Sequence, residues 1–195
     1  LLNADVLLPD GIGVVAYCRA FGSREISRIA GCDFALELVK GLSRSHGQVF
    51  LIGASEPSSS GAAEFLNETV GRQVVCGRFN GFDPLLGDHG NVAARIRDSG
   101  ARLVLVALGS PKQERWINAV RDDLQGVVLM GVGGTIDVWA GVVPRAPVFF
   151  QRIGLEWFFR VLRQPARLFR QRKLLIFVQQ AFVAFLRRRR AQKTH

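Results

Sequence analysis

The run ARLVLVALGSP (residues 101–111) constrains the fold more than any other stretch of this chain. It is a continuous aliphatic segment that ends in Gly-Ser-Pro. A strand with one wet face alternates apolar and polar side chains, whereas a strand buried on both faces does not. The run therefore predicts an interior strand of a parallel sheet. Parallel neighbours need long crossovers, usually helices, and those helices cover the two faces.

The flanking sequence supplies them. QVFLIGAS (48–55) reads as a second buried strand and PSSSGAAEFLNETVG (57–71) as a capped helix. RQVVCGRF (72–79) reads as a strand, and NVAARIRDSG (91–100) as a helix stopped by glycine. KQERWINAVRDDL (112–124) places Trp116, Ile117 and Val120 on one helical face, and GVVLMGVGG (126–134) is a further buried strand. No internal repeat interrupts this alternation. The fold class expected is α/β, a parallel sheet with helices on both faces. Ligands bind such sheets beyond the carboxyl ends of the strands. The polar, glycine-rich stretches PDGIG, GAS, GSPKQE and GVGGTID all follow apolar runs, so they are expected along one edge.

The charge is uneven. Residues 1–150 carry 14 Lys/Arg against 15 Asp/Glu, whereas residues 151–195 carry 12 Lys/Arg and one acid, Glu156. The formal net charge of +10 thus resides in the last quarter, which points to a polyanionic partner. Arg160, Arg163, Arg167 and Arg170 share a helical stripe, with Pro165 between them. LLIFVQQAFVAFL (174–186) is 13 residues with two glutamines inside, short of the roughly 20 apolar residues of a spanning helix. Flanked by basic residues, it reads as a helix lying in an anionic membrane interface, or else as one packed on the core. A core domain over 1–148 and a basic helical appendage over 149–195 follow. Few aromatics interleave with the basic residues and the first 150 residues are acidic overall, so nucleic acid ranks last among partners.

Cys18, Cys32 and Cys76 form no C-x-x-C pair and read as reduced thiols of a cytosolic compartment. His46, His89 and His195 read as surface histidines, and no metal site is expected. GSPKQE (109–114) opens a helix whose N-terminus attracts anions, or is an ordinary strand-to-helix turn. GVGGTID (131–137) breaks the G-x-G-x-x-G order with Ile136. It is a weak sign of a dinucleotide and a fairer one of backbone close to a phosphate or sugar. No D-x-D triplet occurs, so a diphosphate would have to be met by cationic side chains and helix ends. Asp10, beside Gly11 and Gly13 in LLPDGIGVV, is either a catalytic carboxylate or a turn or cap residue.

LLPDGIGVV, SRIAGCD, GSPKQERWI, GVGGTIDVWAGVVPRAP and GLEWFFRVLRQPARLFR, in this order, closely resemble the WecG/TagA/CpsF family of bacterial glycosyltransferases. The likeness runs from residue 1 to about residue 173. It implies a Rossmann-like fold and transfer of an N-acetylmannosamine-like sugar, its uronic acid or a hexose. The donor would be a UDP-sugar and the acceptor a polyprenyl-diphosphate-linked sugar. The products would feed teichoic acid or cell-surface polysaccharide, at the inner face of the cell membrane. Residue by residue, the resemblance makes Asp10 the catalytic base and puts Arg28 and Gln113 at sugar-nucleotide contacts. Asp137 would line the same pocket. Arg160, Arg167 and Arg170 would close over the site and meet the diphosphate. No cofactor and no metal are implied. The family carries a further strand upstream of the first residue here, so the chain reads as lacking that part of the site. Self-association stays open. Two other readings also stay open: a nicotinamide-dependent oxidoreductase, suggested by the sheet and GVGG, and a non-catalytic membrane-binding module built on the tail.

Overall fold

A computed structural model describes residues 3–20, 26–147, 149, 150 and 159. In chain order the elements are α1 (Ile12–Ala20), α2 (Gly31–Arg44), β1 (Gln48–Gly53), α3 (Glu56–Val70), β2 (Val75–Phe79), α4 (His89–Asp98), β3 (Ala101–Ala107), α5 (Lys112–Val120), β4 (Val128–Gly131) and α6 (Thr135–Trp139). Two compact units divide the chain: Leu1–Leu7 with Gly31–Pro144, and Leu8–Ala30 with Arg145–His195.

The first unit holds the sheet. All pairs are parallel and the strand order is β2-β1-β3-β4. β1 and β3 occupy the middle, with Leu51 opposite Leu105 and Ile52 opposite Val106. Because successive side chains point to opposite faces, each aliphatic run feeds two cores. Val49, Leu51, Leu103 and Leu105 pack with Ala35 and Val39 of α2, Ala62 and Leu66 of α3, and Ile136 and Trp139 of α6. Phe50, Ile52, Val104 and Val106 pack with Val92, Ala93 and Ile96 of α4 and Trp116 and Val120 of α5. Leu51, Ile52 and Leu105 are wholly buried. Each such side chain contributes roughly 1.5–3 kcal/mol of transfer free energy. The α/β architecture with helices on both faces is as the sequence predicts.

Local chemistry sets the ends of the elements. Ser55 caps α3 by accepting a hydrogen bond from the Ser58 amide, and Gly71 closes it in the left-handed conformation. Asn67 Oδ1 then accepts from the Val74 and Val75 amides at 2.8 and 3.0 Å, fastening the entry to β2 onto α3. The predicted strands are trimmed. The run at 101–111 leaves the sheet after Ala107, and the predicted strand at 126–134 is confined to Val128–Gly131. The predicted helix at 112–124 ends at Val120 and continues as a 3-10 turn over Arg121–Asp123. α1 and α2 are additions to the elements read from the sequence.

One glycine is indispensable to the sheet. Gly53 has φ +105°, and a Cβ there would lie 2.5 Å from the carbonyl oxygen of Ala107. Gly71, at φ +71°, faces open space. Gly71→Ala is expected to cost roughly 1–2 kcal/mol, the left-handed penalty alone. Gly53→Ala adds a backbone clash to backbone strain and should cost more than Gly71→Ala. Denaturant midpoints of the two variants give the ranking; equal losses would mean that Gly53 and Ala107 do not approach so closely.

Candidate active site

The chain passes from β1 outward to β2 and then returns to place β3 on the other side of β1. The direction of winding therefore reverses between β1 and β3. A crevice opens at the carboxyl ends of two such strands. Here it is bordered by Gly53–Ser55 after β1 and Leu108–Pro111 after β3. The two turns are joined, since the Ala54 amide donates to the Ala107 carbonyl at 3.2 Å. The Gly81 amide, after β2, donates to the Ala54 carbonyl at 2.7 Å. Three strand-end loops are thus laced together by main-chain bonds.

A polar cluster holds the outermost of these loops. Arg78 at the end of β2 pairs with Glu56 in the first turn of α3 at 2.5 Å. Asn80 Nδ2 donates to the other Glu56 oxygen at 3.0 Å, while Asn80 Oδ1 accepts from the Phe82 amide at 2.9 Å. The ring of Phe82 is left 84% exposed. The hydrogen bond from Arg78, seconded by that from Asn80, holds the Glu56 carboxyl below its usual pKa.

On the other side of the crevice stands Gln113, on the first turn of α5 and only 8% exposed. Its Oε1 accepts from the Gly133 amide at 3.1 Å, and its Nε2 donates to Glu114 Oε1 at 3.2 Å. A Cβ on Gly131 would lie 2.7 Å from Gln113 Nε2. In GVGGTID, Gly131 and Gly133 are the residues that meet the Gln113 side chain. Asp137 lies in the first turn of α6, and its carbonyl accepts from the Val143 amide at 3.1 Å.

The second unit contains the other predicted pair. Leu8–Asp10 and Arg28–Ile29 run side by side, the Ile29 amide donating to the Pro9 carbonyl at 3.2 Å. Arg28 Nε donates to the Asp10 carbonyl at 2.7 Å, and its Nη2 reaches Asp10 Oδ1 at 3.3 Å. The Asp10 side chain remains 55% exposed and that of Arg28 20%. So the structure brings together Asp10 with Arg28, and Gln113 with the loop that leads to Asp137. Arg160, Arg167 and Arg170 lie outside the described residues. Among the described residues no three His, Cys, Asp or Glu side chains gather in a way that could hold a metal ion. Among them, too, no helix is long and apolar enough to cross a membrane.

A family model described as "Glycosyl transferase WecG/TagA/CpsF family" matches residues 1–193. The chain belongs to that family. It is therefore an enzyme of glycosyl transfer, acting between a sugar donor and an acceptor. For this WecG/TagA/CpsF glycosyltransferase, the sequence reading missed the Glu56–Arg78–Asn80 cluster, Phe82 and Glu114. Glu56 and Arg78 stand 22 positions apart, and no local pattern signals their pairing.

The depressed pKa of Glu56 fixes the sign of a pH effect. The pairing stabilises the loop fully above the carboxyl's unfolded pKa and is lost as pH falls through the lower, folded value. Protection of the Phe82 amide against hydrogen exchange, corrected for intrinsic rates, should therefore fall on acidification. In Glu56→Gln it should be low and insensitive to pH over the same range. A wild-type profile in Glu56→Gln would show that Asn80 holds the loop without Glu56.

Proposed function

We propose that this glycosyltransferase moves a sugar from a UDP-sugar to a polyprenyl-diphosphate-linked sugar, with inversion and without a metal. The sugar is N-acetylmannosamine-like, its uronic acid or a hexose, and the product enters cell-surface polysaccharide or teichoic acid assembly. The observation that carries this reading is the contact of Arg28 with Asp10. The family resemblance assigns both to one site, and although 18 positions separate them they are hydrogen-bonded.

In the proposed mechanism Asp10 takes the proton from the acceptor hydroxyl as that oxygen attacks the anomeric carbon. The bond from that carbon to the UDP oxygen breaks, and UDP leaves with the electron pair. Single displacement inverts the centre. Arg28 fixes the main chain and the carboxylate of Asp10 with one guanidinium. The exposed ring of Phe82 offers a stacking face to a nucleobase, and such contacts contribute about 1–3 kcal/mol per base. Gln113 and Asp137 contact the donor. Arg160, Arg167 and Arg170, within an appendage over 149–195 beside a catalytic domain over 1–148, supply the charge that the departing diphosphate needs. With no D-x-D triplet in the chain, these arginines take the part that a metal plays elsewhere. The basic tail favours peripheral attachment to the inner face of the cell membrane, where a lipid-linked acceptor resides.

The test is transfer from a panel of UDP-sugars to a short-chain polyprenyl-diphosphate sugar. Asp10→Asn is expected to lower turnover by about 10²–10⁴-fold with much less change in donor binding. Activity should persist in EDTA. Near-normal turnover of Asp10→Asn would remove Asp10 as the base. Activity abolished by EDTA and restored by Mg²⁺ or Mn²⁺ would overturn the metal-free mechanism.

A further inference from the structure

A side-chain amide presents two ends of nearly equal size, so only its neighbours decide which way round it sits. At Gln113 both neighbours are unambiguous. The Gly133 amide can only donate, and it meets Oε1 at 3.1 Å. Glu114 offers a carboxyl oxygen, Oε1, which accepts from Gln113 Nε2 at 3.2 Å. Turning the amide over would set N–H against N–H and oxygen against oxygen. From this arrangement we infer that Glu114 is a positioning residue, which locks the Gln113 amide in one orientation at the carboxyl end of β3.

Two further observations support the assignment. The Nε2 end of Gln113 is seated over Gly131, where a Cβ would lie 2.7 Å away, so the backbone leaves room for this placement. The second carboxylate oxygen of Glu114 is buried and has no hydrogen-bond partner among the described residues. Burying such an atom is costly, and native structures seldom retain one without a purpose. The bond that Glu114 does make is to Gln113. With one Nε2 hydrogen committed to the carboxylate and Oε1 committed to Gly133, the other hydrogen points in a fixed direction. The locked amide is then a donor of defined aim for an oxygen of the sugar nucleotide. This last step rests on the reading of Gln113 as a donor contact.

A double-mutant cycle tests it: wild type, Gln113→Ala, Glu114→Gln and the double variant, each assayed for kcat, donor KM and melting temperature. Gln113→Ala is expected to lower kcat/KM for the donor about 10–100-fold. Glu114→Gln, which can offer either end of its own amide to Gln113, should lower it about tenfold, largely through KM. It should not change the melting temperature by a comparable margin. The double variant should be no worse than Gln113→Ala, because Glu114 acts through Gln113. If the Glu114→Gln loss persists in full without Gln113, or if Glu114→Gln is as active as wild type while Gln113→Ala is impaired, the inference falls.

A readout independent of activity separates this inference from the reading of the site. In the ¹⁵N spectrum of the wild type the two Nε2 protons of Gln113 should be well dispersed and slow to exchange. In Glu114→Gln, or in Glu114→Ala should the glutamine fail to fold, they should move toward solvent-like positions. Unchanged amide signals would refute the positioning role. Changed signals with wild-type kinetics in Gln113→Ala would leave the lock standing and overturn Gln113 as a donor contact.

Discussion

The pairing of Gln48–Gly53 with Ala101–Ala107 is the contact on which the sheet-bearing unit depends. These two strands, adjacent in space and separated in sequence by a complete strand and two α-helices, run parallel. Once they do, both their faces lie inside. Every other position of each strand then serves one core, and the remainder serve the other. The aliphatic composition of both runs follows from that placement. So does the reversal of winding direction, because β2 already occupies the far side of β1.

The same pairing generates the crevice through the close approach of Gly53 to Ala107. With no Cβ in the way, the β1 turn bends across the end of β3 and bonds to it through the Ala54 amide. Gly81 then docks on the Ala54 carbonyl, which brings the loop after β2 to the same edge. The loops that border the site are therefore extensions of sheet hydrogen bonding rather than independent segments. A change in strand register would move all three.

Sequence patterns revealed the parts of this arrangement that depend on neighbours in the chain. The strand cores, the capped helix ending at Gly71 and the gathering of GAS, GSPKQE and GVGGTID beyond apolar runs were all legible, because aliphatic periodicity and turn chemistry are local. Strand ends were less so. Leu108 is as apolar as Ala107, and only the geometry of the turn takes it out of the ladder. Helix α2 carries a readable stripe in Cys32, Ala35 and Val39, which recur at helical spacing and are buried, yet Gly31 at its start and Gly41 inside it obscured it. Contacts between distant residues left no trace. Nothing in GVGGTID announces that its glycines make room for Gln113, and nothing in SEP or GRFNGF announces the pairing of Glu56 with Arg78. The kinship of Asp10 with Arg28 came from family likeness, and their hydrogen bonds add a physical link to it.

The side chains at these positions share one property that bears on how substitutions there are to be interpreted. Arg28, Asn80 and Gln113 each bond a main-chain group and a carboxylate: the Asp10 carbonyl with the Asp10 carboxylate, the Phe82 amide with Glu56, and the Gly133 amide with Glu114. One side chain thereby sets the geometry of a loop and of a carboxylate at once. Lysine at 28 could neutralise Asp10 but could not hold its carbonyl in the same planar fork. Aspartate at 80 could accept from Phe82 but would repel Glu56. The residue types are demanded by this double duty, which no single charge or hydrogen bond would require.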